Sequence, residues 1–126
     1  MKKTLYITLS EALELHNRLI DRFGGKPGIR DKGLLEIALM RPQTGYYQSL
    51  SLQAAALFQS LALNLAFLDG NKRVAFAGLA IFLKMNGQSI KVSPDAAEEF
   101  LIEFVIKRRI DLEDIGHWIE KHVAQV

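Results

Sequence analysis

Residues 52–68 read LQAAALFQSLALNLAFL, and this stretch decides the fold. It is rich in alanine and leucine and contains no glycine or proline, which predicts a long helix. The stretch is apolar nearly all round, so we expect this helix to be the buried centre of the molecule. Asp69-Gly70-Asn71 interrupts the pattern, and a second apolar helix is predicted over residues 72–85 before Asn86-Gly87 stops it.

Patterns on both sides of this pair also indicate helices. Residues 8–23 are amphipathic, with Ser10 as the expected N-terminal cap. Asp31 is the expected cap of a short second helix, and Ser93 followed by proline predicts a further helix start. Residues 111–123 complete the set as a last amphipathic helix.

Strand-like composition is confined to residues 5–7 and 89–92, both short. No repeat or linker divides the 126 residues, and 49% hydrophobic with 24% charged residues suit one globular domain. The sequence therefore predicts a single all-α domain over residues 1–126. The absence of cysteine excludes disulfides and thiolate metal sites.

The charge pattern and the apolar runs limit the partners and the location. The basic N-terminus is not followed by an apolar run long enough for a signal peptide, and no run is long enough to span a bilayer. We therefore expect a cytoplasmic protein without a membrane partner. The net charge is +2, and residues 107–109, Lys-Arg-Arg, form the tight basic cluster. A small DNA-binding helical protein remains an alternative, but nucleic acid is not the expected partner because the basic residues do not share one helix face.

The chemistry is concentrated in residues 67–73, FLDGNKR, between the two apolar helices. The backbone amides that open the second helix are free donors, and with the helix dipole they can bind an anion. Gly70 and Asn71 are expected to line this phosphate site, and Lys72 and Arg73 add positive charge. Asp69 would repel phosphate unless a cation such as Mg²⁺ bridges the two. A plain Asp-Gly-Asn turn is the alternative interpretation.

These residues resemble the signature of the Fic/Doc family, and the resemblance covers nearly the whole chain. Phe67, Asp69, Gly70, Asn71, Lys72 and Arg73 match that signature in order. Lys72, where typical Fic proteins have a second glycine, is similar to the Doc branch, as is the segment GIRDKGLLE at residues 28–36. The resemblance implies a compact helical bundle around a buried central helix, with at most a short flap or strand pair.

Leu65 is the main departure from the signature, because it stands where the family has its catalytic histidine. That histidine takes the proton of the attacking hydroxyl, and leucine cannot bind a proton. We expect Leu65 to fit the apolar central helix and to leave the fold intact. Either this chain is a divergent member of the family, or a mutation made tolerable to its host a protein that the resemblance implies is toxic. The otherwise complete motif favours the mutation. His16, on the inner face of the first helix, is expected to be a core or pocket-wall residue and not a substitute base.

The resemblance implies a Doc-type toxin that transfers a phosphoryl group from ATP, with Mg²⁺ held at Asp69, to a hydroxyl of elongation factor Tu. Lys72 and Arg73 would stabilise phosphate charge. An AMP transferase of the Fic type and a catalytically dead binding module are the alternatives. The implied partner is a cognate antitoxin that binds as a helix in a groove. The resemblance also implies a flap, here residues 26–33, that positions the target protein; its candidate residues are Lys26, Gly28, Ile29, Arg30 and Asp31. An ordinary surface loop is the alternative for the flap.

Overall fold

The computed structural model describes residues 3–125, and most of its regular structure is helical. Within this range six α-helices follow in chain order as α1 Leu9–Phe23, α2 Lys32–Met40, α3 Leu50–Leu63, α4 Asn71–Met85, α5 Pro94–Phe100 and α6 Leu112–Lys121. The other elements are a 3₁₀ turn at Arg41–Gln43, a π-helical segment at Leu101–Lys107, and strands β1 Gln88–Ile90 and β2 Val123–Gln125. The predicted all-α class, with a short strand pair, is confirmed for this part of the chain.

Helix α3 is the buried centre of the bundle, as the sequence predicts. Each side chain of residues 54–58 is at most 1% exposed. The helix packs against α4 and against α6. Gly78 of α4 lets the two backbones come close, because a Cβ atom there would lie 2.9 Å from Cδ1 of Leu61. The connection between α3 and α4 is therefore carried by two closely packed helices.

The predicted bounds of this central helix were wrong at both ends. The helix begins at Leu50, after the Ser49 side chain accepts a hydrogen bond from the Leu52 N–H, and it ends at Leu63. Leu65 has φ 51° and is 52% exposed, so it is not part of the apolar central helix as expected. The reason is tertiary: the Ala66 carbonyl accepts hydrogen bonds from a distant segment, which draws the chain out of the helix.

Side-chain caps explain where α1, α2 and α5 begin. Thr8, not Ser10, caps α1, and its side chain and the Glu11 carboxylate form a reciprocal capping box. The predictions for Asp31 at α2 and Ser93 at α5 are confirmed, because each side chain accepts the hydrogen bond of an N–H in the first turn. The prediction of Ser10 failed because the capping box fixes the start two residues earlier.

The strand predictions were half right. Strand β1 forms at one of the two predicted places and pairs antiparallel with β2, so that Ile90 lies opposite Val123. The last helix consequently ends at Lys121, two residues before the predicted end at Val123. Residues 5–7 are not a strand. Over residues 3–125, no helix has both the length and the apolar character needed to cross a bilayer.

Candidate active site

The connection between α3 and α4, residues 64–70, is called the motif loop below. It ends at Gly70, the N-cap of α4, which has φ 78°. This left-handed conformation is open to glycine at little cost and sets the direction in which α4 leaves the loop. The N-cap glycine has no side chain with which to cap α4. The N–H groups of the first turn of this 15-residue helix therefore remain donors at the positive end of its dipole.

Asn71 holds the motif loop closed from inside. Its Oδ1 accepts the Phe67 N–H at 3.0 Å, and its Nδ2 donates to the Phe67 carbonyl at 3.0 Å. The side chain thereby replaces the backbone partners that Phe67 loses where the helix has ended. One of the two amide hydrogens is thus already used, so only the other hydrogen is left for the predicted contact with phosphate.

Asp69 accepts two backbone hydrogen bonds through its carboxylate. Oδ2 accepts the Lys26 N–H at 3.0 Å, and Oδ1 accepts the Gly70 N–H at 2.8 Å. The bond from Lys26 is the largest cause that lowers the pKa of the Asp69 carboxyl below its ordinary value, and the bond from Gly70 is the next. Desolvation opposes this shift, and the nearby Arg73 and His16 add to it. Each oxygen accepts one hydrogen bond here and so keeps lone-pair capacity for a cation. A carboxylate of this kind fits Mg²⁺ shared with phosphate oxygens.

His16 lies directly behind the motif loop, on the inner face of α1. It is 2% exposed, and its Nε2–H donates to the Asp69 carbonyl at 2.9 Å. Its imidazole stacks on the Phe67 ring with the centroids 3.9 Å apart and the planes 7° apart. The prediction of a hydrogen-bonded core histidine is confirmed. Its support of the Asp69 backbone was not predicted, since only the fold brings residues so distant in sequence together.

The two cations of the motif stand at the exposed start of α4. Both side chains are exposed. The Arg73 guanidinium lies over the Phe23 ring, 4.7 Å from its centroid, and this ring at the end of α1 is 56% exposed. Stacking of this kind holds a guanidinium without using its donors, which leaves them for an anion. Sequence reasoning missed Phe23, because nothing in the order of residues indicates that α1 ends beside α4.

The flap, residues 26–33, pairs with the motif loop. Ile29 forms an antiparallel bridge with Phe67, and the Leu68 N–H donates to the Gly28 carbonyl at 3.2 Å. The Arg30 N–H donates to the Ala66 carbonyl at 2.7 Å. These bonds flank Ile29, whose own N–H and carbonyl therefore face the opposite, outer edge. The structure thus brings the predicted flap residues and the motif together, with one edge of the flap bound to the chain itself.

Gly25 makes this close approach possible. It has φ 116°, and a Cβ atom there would lie 2.9 Å from Oδ2 of Asp69 and 3.1 Å from Cδ1 of Ile20. Any other residue would force the flap or the Asp69 side chain to shift. Nothing in the order of residues indicates that Gly25 touches Asp69.

Leu65 lies in the motif loop immediately beyond the C-cap of α3. Its φ of 51° costs a residue with a branched apolar side chain about 1–2 kcal/mol. Histidine and asparagine are several-fold enriched in this conformation, and glycine is commonest at such helix ends. The backbone at position 65 thus suits a histidine better than the leucine that occupies it, and the side chain is available at the surface.

Comparison with known proteins covers this same region. The family model described as Fic/DOC family matches residues 6–83, from before α1 into the last turn of α4. A protein named Toxin Doc from Mycolicibacterium smegmatis is 46% identical over 101 residues, which is 75% of this chain and 77% of that protein. A protein named Protein kinase doc from Escherichia phage P1 is 33% identical over 97 residues, 74% of this chain and 77% of that protein.

Proposed function

Because the chain belongs to the Fic/DOC family, we propose that it is a Doc-type toxin whose site transfers a phosphoryl group from ATP to a protein hydroxyl. The observation that carries the proposal is the start of α4, where uncapped backbone donors, two exposed cations and an ionised carboxylate converge. The names of the two relatives, a toxin and a protein kinase, support this class of activity.

The proposed reaction requires little covalent chemistry from the protein. The target hydroxyl oxygen attacks the γ-phosphorus of ATP, the bond to the β–γ bridging oxygen breaks, and ADP leaves. The N–H groups of the first turn of α4 bind the phosphate oxygens, and Lys72 and Arg73 neutralise the charge that develops there. Asp69 would hold Mg²⁺, which supplies further charge neutralisation when bound.

Position 65 determines whether this site turns over at a useful rate. The hydroxyl proton needs an acceptor, and a positioned general base is worth about two to four orders of magnitude. Leucine supplies none, so we propose that this chain is inactive or impaired while its phosphate site is complete. A copy inactivated by mutation retains the motif in this way.

The target and the partner follow from the same proposal. Elongation factor Tu is the proposed substrate, and arrest of translation is the proposed result. The outer edge of the flap at Ile29 offers backbone groups with which an extended target segment can pair. The proposed inhibitor is an antitoxin whose helix lies in a groove of the toxin.

Two other functions have an observation in their favour. Leu65 favours a binding module that engages an antitoxin or a nucleotide without catalysis. The exposed start of α4 is also compatible with transfer of AMP, as in typical Fic domains. Lys72 favours γ-phosphoryl transfer over AMP transfer, because a long cation in place of a glycine changes how the triphosphate can lie in the pocket.

The test compares the parent chain with Leu65→His and Leu65→Asn. Each is incubated with elongation factor Tu, Mg²⁺, and ATP labelled at either the α- or the γ-phosphate. Asparagine is the matched control, because it accepts the same backbone conformation but is no base at neutral pH. We expect label from the γ-phosphate with Leu65→His alone, at a rate about 10²–10⁴ times that of the parent.

The outcomes separate the candidates. Label transferred from the α-phosphate identifies an AMP transferase and contradicts the kinase. Equal activity of the histidine and asparagine variants contradicts the role of a base at position 65. If no variant transfers label while nucleotide still binds, the binding module is supported and the kinase proposal fails for this target.

A further inference from the structure

We propose that Arg30 is a positioning residue that fixes the backbone conformation of residue 65. In this structure its guanidinium donates to carbonyls of the chain itself. Arg30 Nε donates to the Leu65 carbonyl at 2.6 Å, and Nη2 donates to the Asn64 carbonyl at 3.1 Å. The guanidinium thus binds two consecutive carbonyls at the end of α3.

The backbone of Arg30 is fixed independently of its side chain. Its N–H donates to the Ala66 carbonyl at 2.7 Å, and the Asp31 N–H donates to the same oxygen at 2.9 Å. Asp31 in turn caps α2 through its side chain. The guanidinium therefore starts from an anchored position, and three successive carbonyls, of residues 64–66, are bound by one short segment.

Arginine suits this task for a physical reason. The last carbonyls of a helix lack partners and carry the negative end of its dipole. A guanidinium presents several donors in a rigid plane, so it can bind two neighbouring carbonyls at once, whereas an ammonium is a point charge. Leu65 has no preference for φ 51°, so the conformation must be imposed from outside the residue.

The catalytic consequence rests on the proposed function. The backbone conformation of residue 65 determines the direction of its side chain, and a base acts only when it is held at the reacting proton. If Arg30 sets that conformation, then it determines whether a histidine at position 65 reaches the hydroxyl. It does so without contact with the nucleotide or the target.

The first experiment measures melting temperatures and requires no activity. Leu65→Gly is made with Arg30 present and in the Arg30→Met background, which keeps the apolar stem of the side chain. With Arg30 present, glycine relieves the imposed conformation, and we expect the melting temperature to rise by roughly 2–4 °C. In the Arg30→Met background we expect less than half of that rise, because leucine is then free to relax.

An equal rise in both backgrounds would overturn the proposal, since the rest of the chain would then impose the conformation. If Arg30→Met does not fold, the same comparison is made with Arg30→Lys, which keeps the charge but cannot bind both carbonyls in one plane. The expected and the contradicting results are the same.

The second experiment uses the Leu65→His chain with Arg30, Arg30→Lys or Arg30→Met. We expect kcat to fall about 10- to 100-fold in both substituted chains, with KM for ATP changed less than about twofold. A rise in KM at constant kcat would mean that Arg30 binds nucleotide and would overturn the proposal. If Leu65→His is inactive, the proposed function fails, and the melting comparison still decides the role of Arg30.

Discussion

Two residues other than glycine have a left-handed backbone within the described chain, and both directly follow a helix end. Leu65 has φ 51° beyond the C-cap of α3, and Arg109 has φ 53° beyond the C-cap of the π-helical segment. Their surroundings differ. Arg109 donates from its own Nε to the Ile106 carbonyl at 2.8 Å, so its turn is held locally. Leu65 is held by Arg30, 35 positions earlier in the chain.

The conformation of Arg109 completes a local turn, whereas that of Leu65 depends on contacts between the flap and the motif loop. Near Arg109, the Ile110 N–H also donates to the Phe104 carbonyl at 3.1 Å, so the helix end is satisfied by its neighbours in sequence. At Leu65 the local sequence favours a continued helix, and hydrogen bonds from the flap interrupt it. A strained conformation that distant residues impose is typical of positions where a side chain must point in a set direction.

The largest effect on this comparison is expected from Gly25→Ala, which should disturb the flap beside Leu65 but not the turn at Arg109. Gly24→Ala is its matched control. Both glycines have positive φ, 116° and 85°, so each substitution costs about 1–3 kcal/mol from the backbone. The Gly25 methyl would lie 2.9 Å from Asp69, whereas at Gly24 no atom of residues 3–125 beyond its chain neighbours lies within 4 Å. We expect Gly25→Ala to lose about 1–3 kcal/mol more in a denaturant titration.

Hydrogen exchange shows where this extra loss falls. Displacement of the flap should expose the N–H groups of Arg30 and Leu68, while the Ile110 N–H at the other helix end keeps its protection. Equal losses in the two alanine variants would mean that the approach of the flap to Asp69 contributes nothing to stability.

A smaller effect is expected from Leu65→Asn compared with Arg109→Asn. Asparagine tolerates the left-handed conformation, so the change at Leu65 removes strain and should raise the free energy of unfolding by about 0.5–1 kcal/mol. At Arg109 the same change also removes the hydrogen bond to Ile106, and we expect a net effect close to zero. If thermal or urea unfolding showed a larger gain in stability at Arg109 than at Leu65, Leu65 would not be the more strained of the two residues.

The smallest expected effect is that of pH, which acts on Asp69 in the motif loop that also contains Leu65. The lowered pKa of Asp69 means that its contribution is present above the unfolded value of about 3.9 and is lost as the pH falls through the folded value. Asp69→Asn should therefore flatten the decline of the melting temperature below about pH 4.

Glu11→Gln is the control, because hydrogen bonds from Thr8 also lower the pKa of Glu11. It should flatten the acid decline as well but leave hydrogen exchange in the flap unchanged. An acid decline that is identical in the parent and Asp69→Asn chains would mean that the two backbone hydrogen bonds to Asp69 do not stabilise the fold.

The sequence predicted what local patterns determine. The buried α3, the interruption before α4 and the caps at Asp31 and Ser93 each depend on a few neighbouring residues, and these predictions are confirmed. The end of α3 was missed because nothing near Leu65 stops a helix. Its cause lies in the flap, and pairing between distant segments leaves no local signal.

The same reason limits what could be predicted of the candidate site. The order of residues predicted an anion site at the start of α4 with a carboxylate beside it, and anion binding there stays a prediction. The order did not indicate that Asn71 would close the motif loop, that His16 would hold the Asp69 carbonyl or that Phe23 would lie under Arg73. The contacts of His16 and Phe23 join α1 to the motif loop and to α4, which only the fold brings together, whereas the contact of Asn71 with Phe67 is local.

The stacked pair of His16 and Phe67 gives the molecule its own spectroscopic probe. An aromatic ring in parallel contact shifts the resonances of the protons above its face, so the His16 ring signals should differ from those of an exposed imidazole. The chain has only three histidines, which makes these signals simple to assign. Because Phe67 belongs to the motif loop and His16 to α1, the signals report directly on whether the loop is seated. A change at the exposed start of α4 can thus be followed from the protected side of the motif loop, without any label at the site.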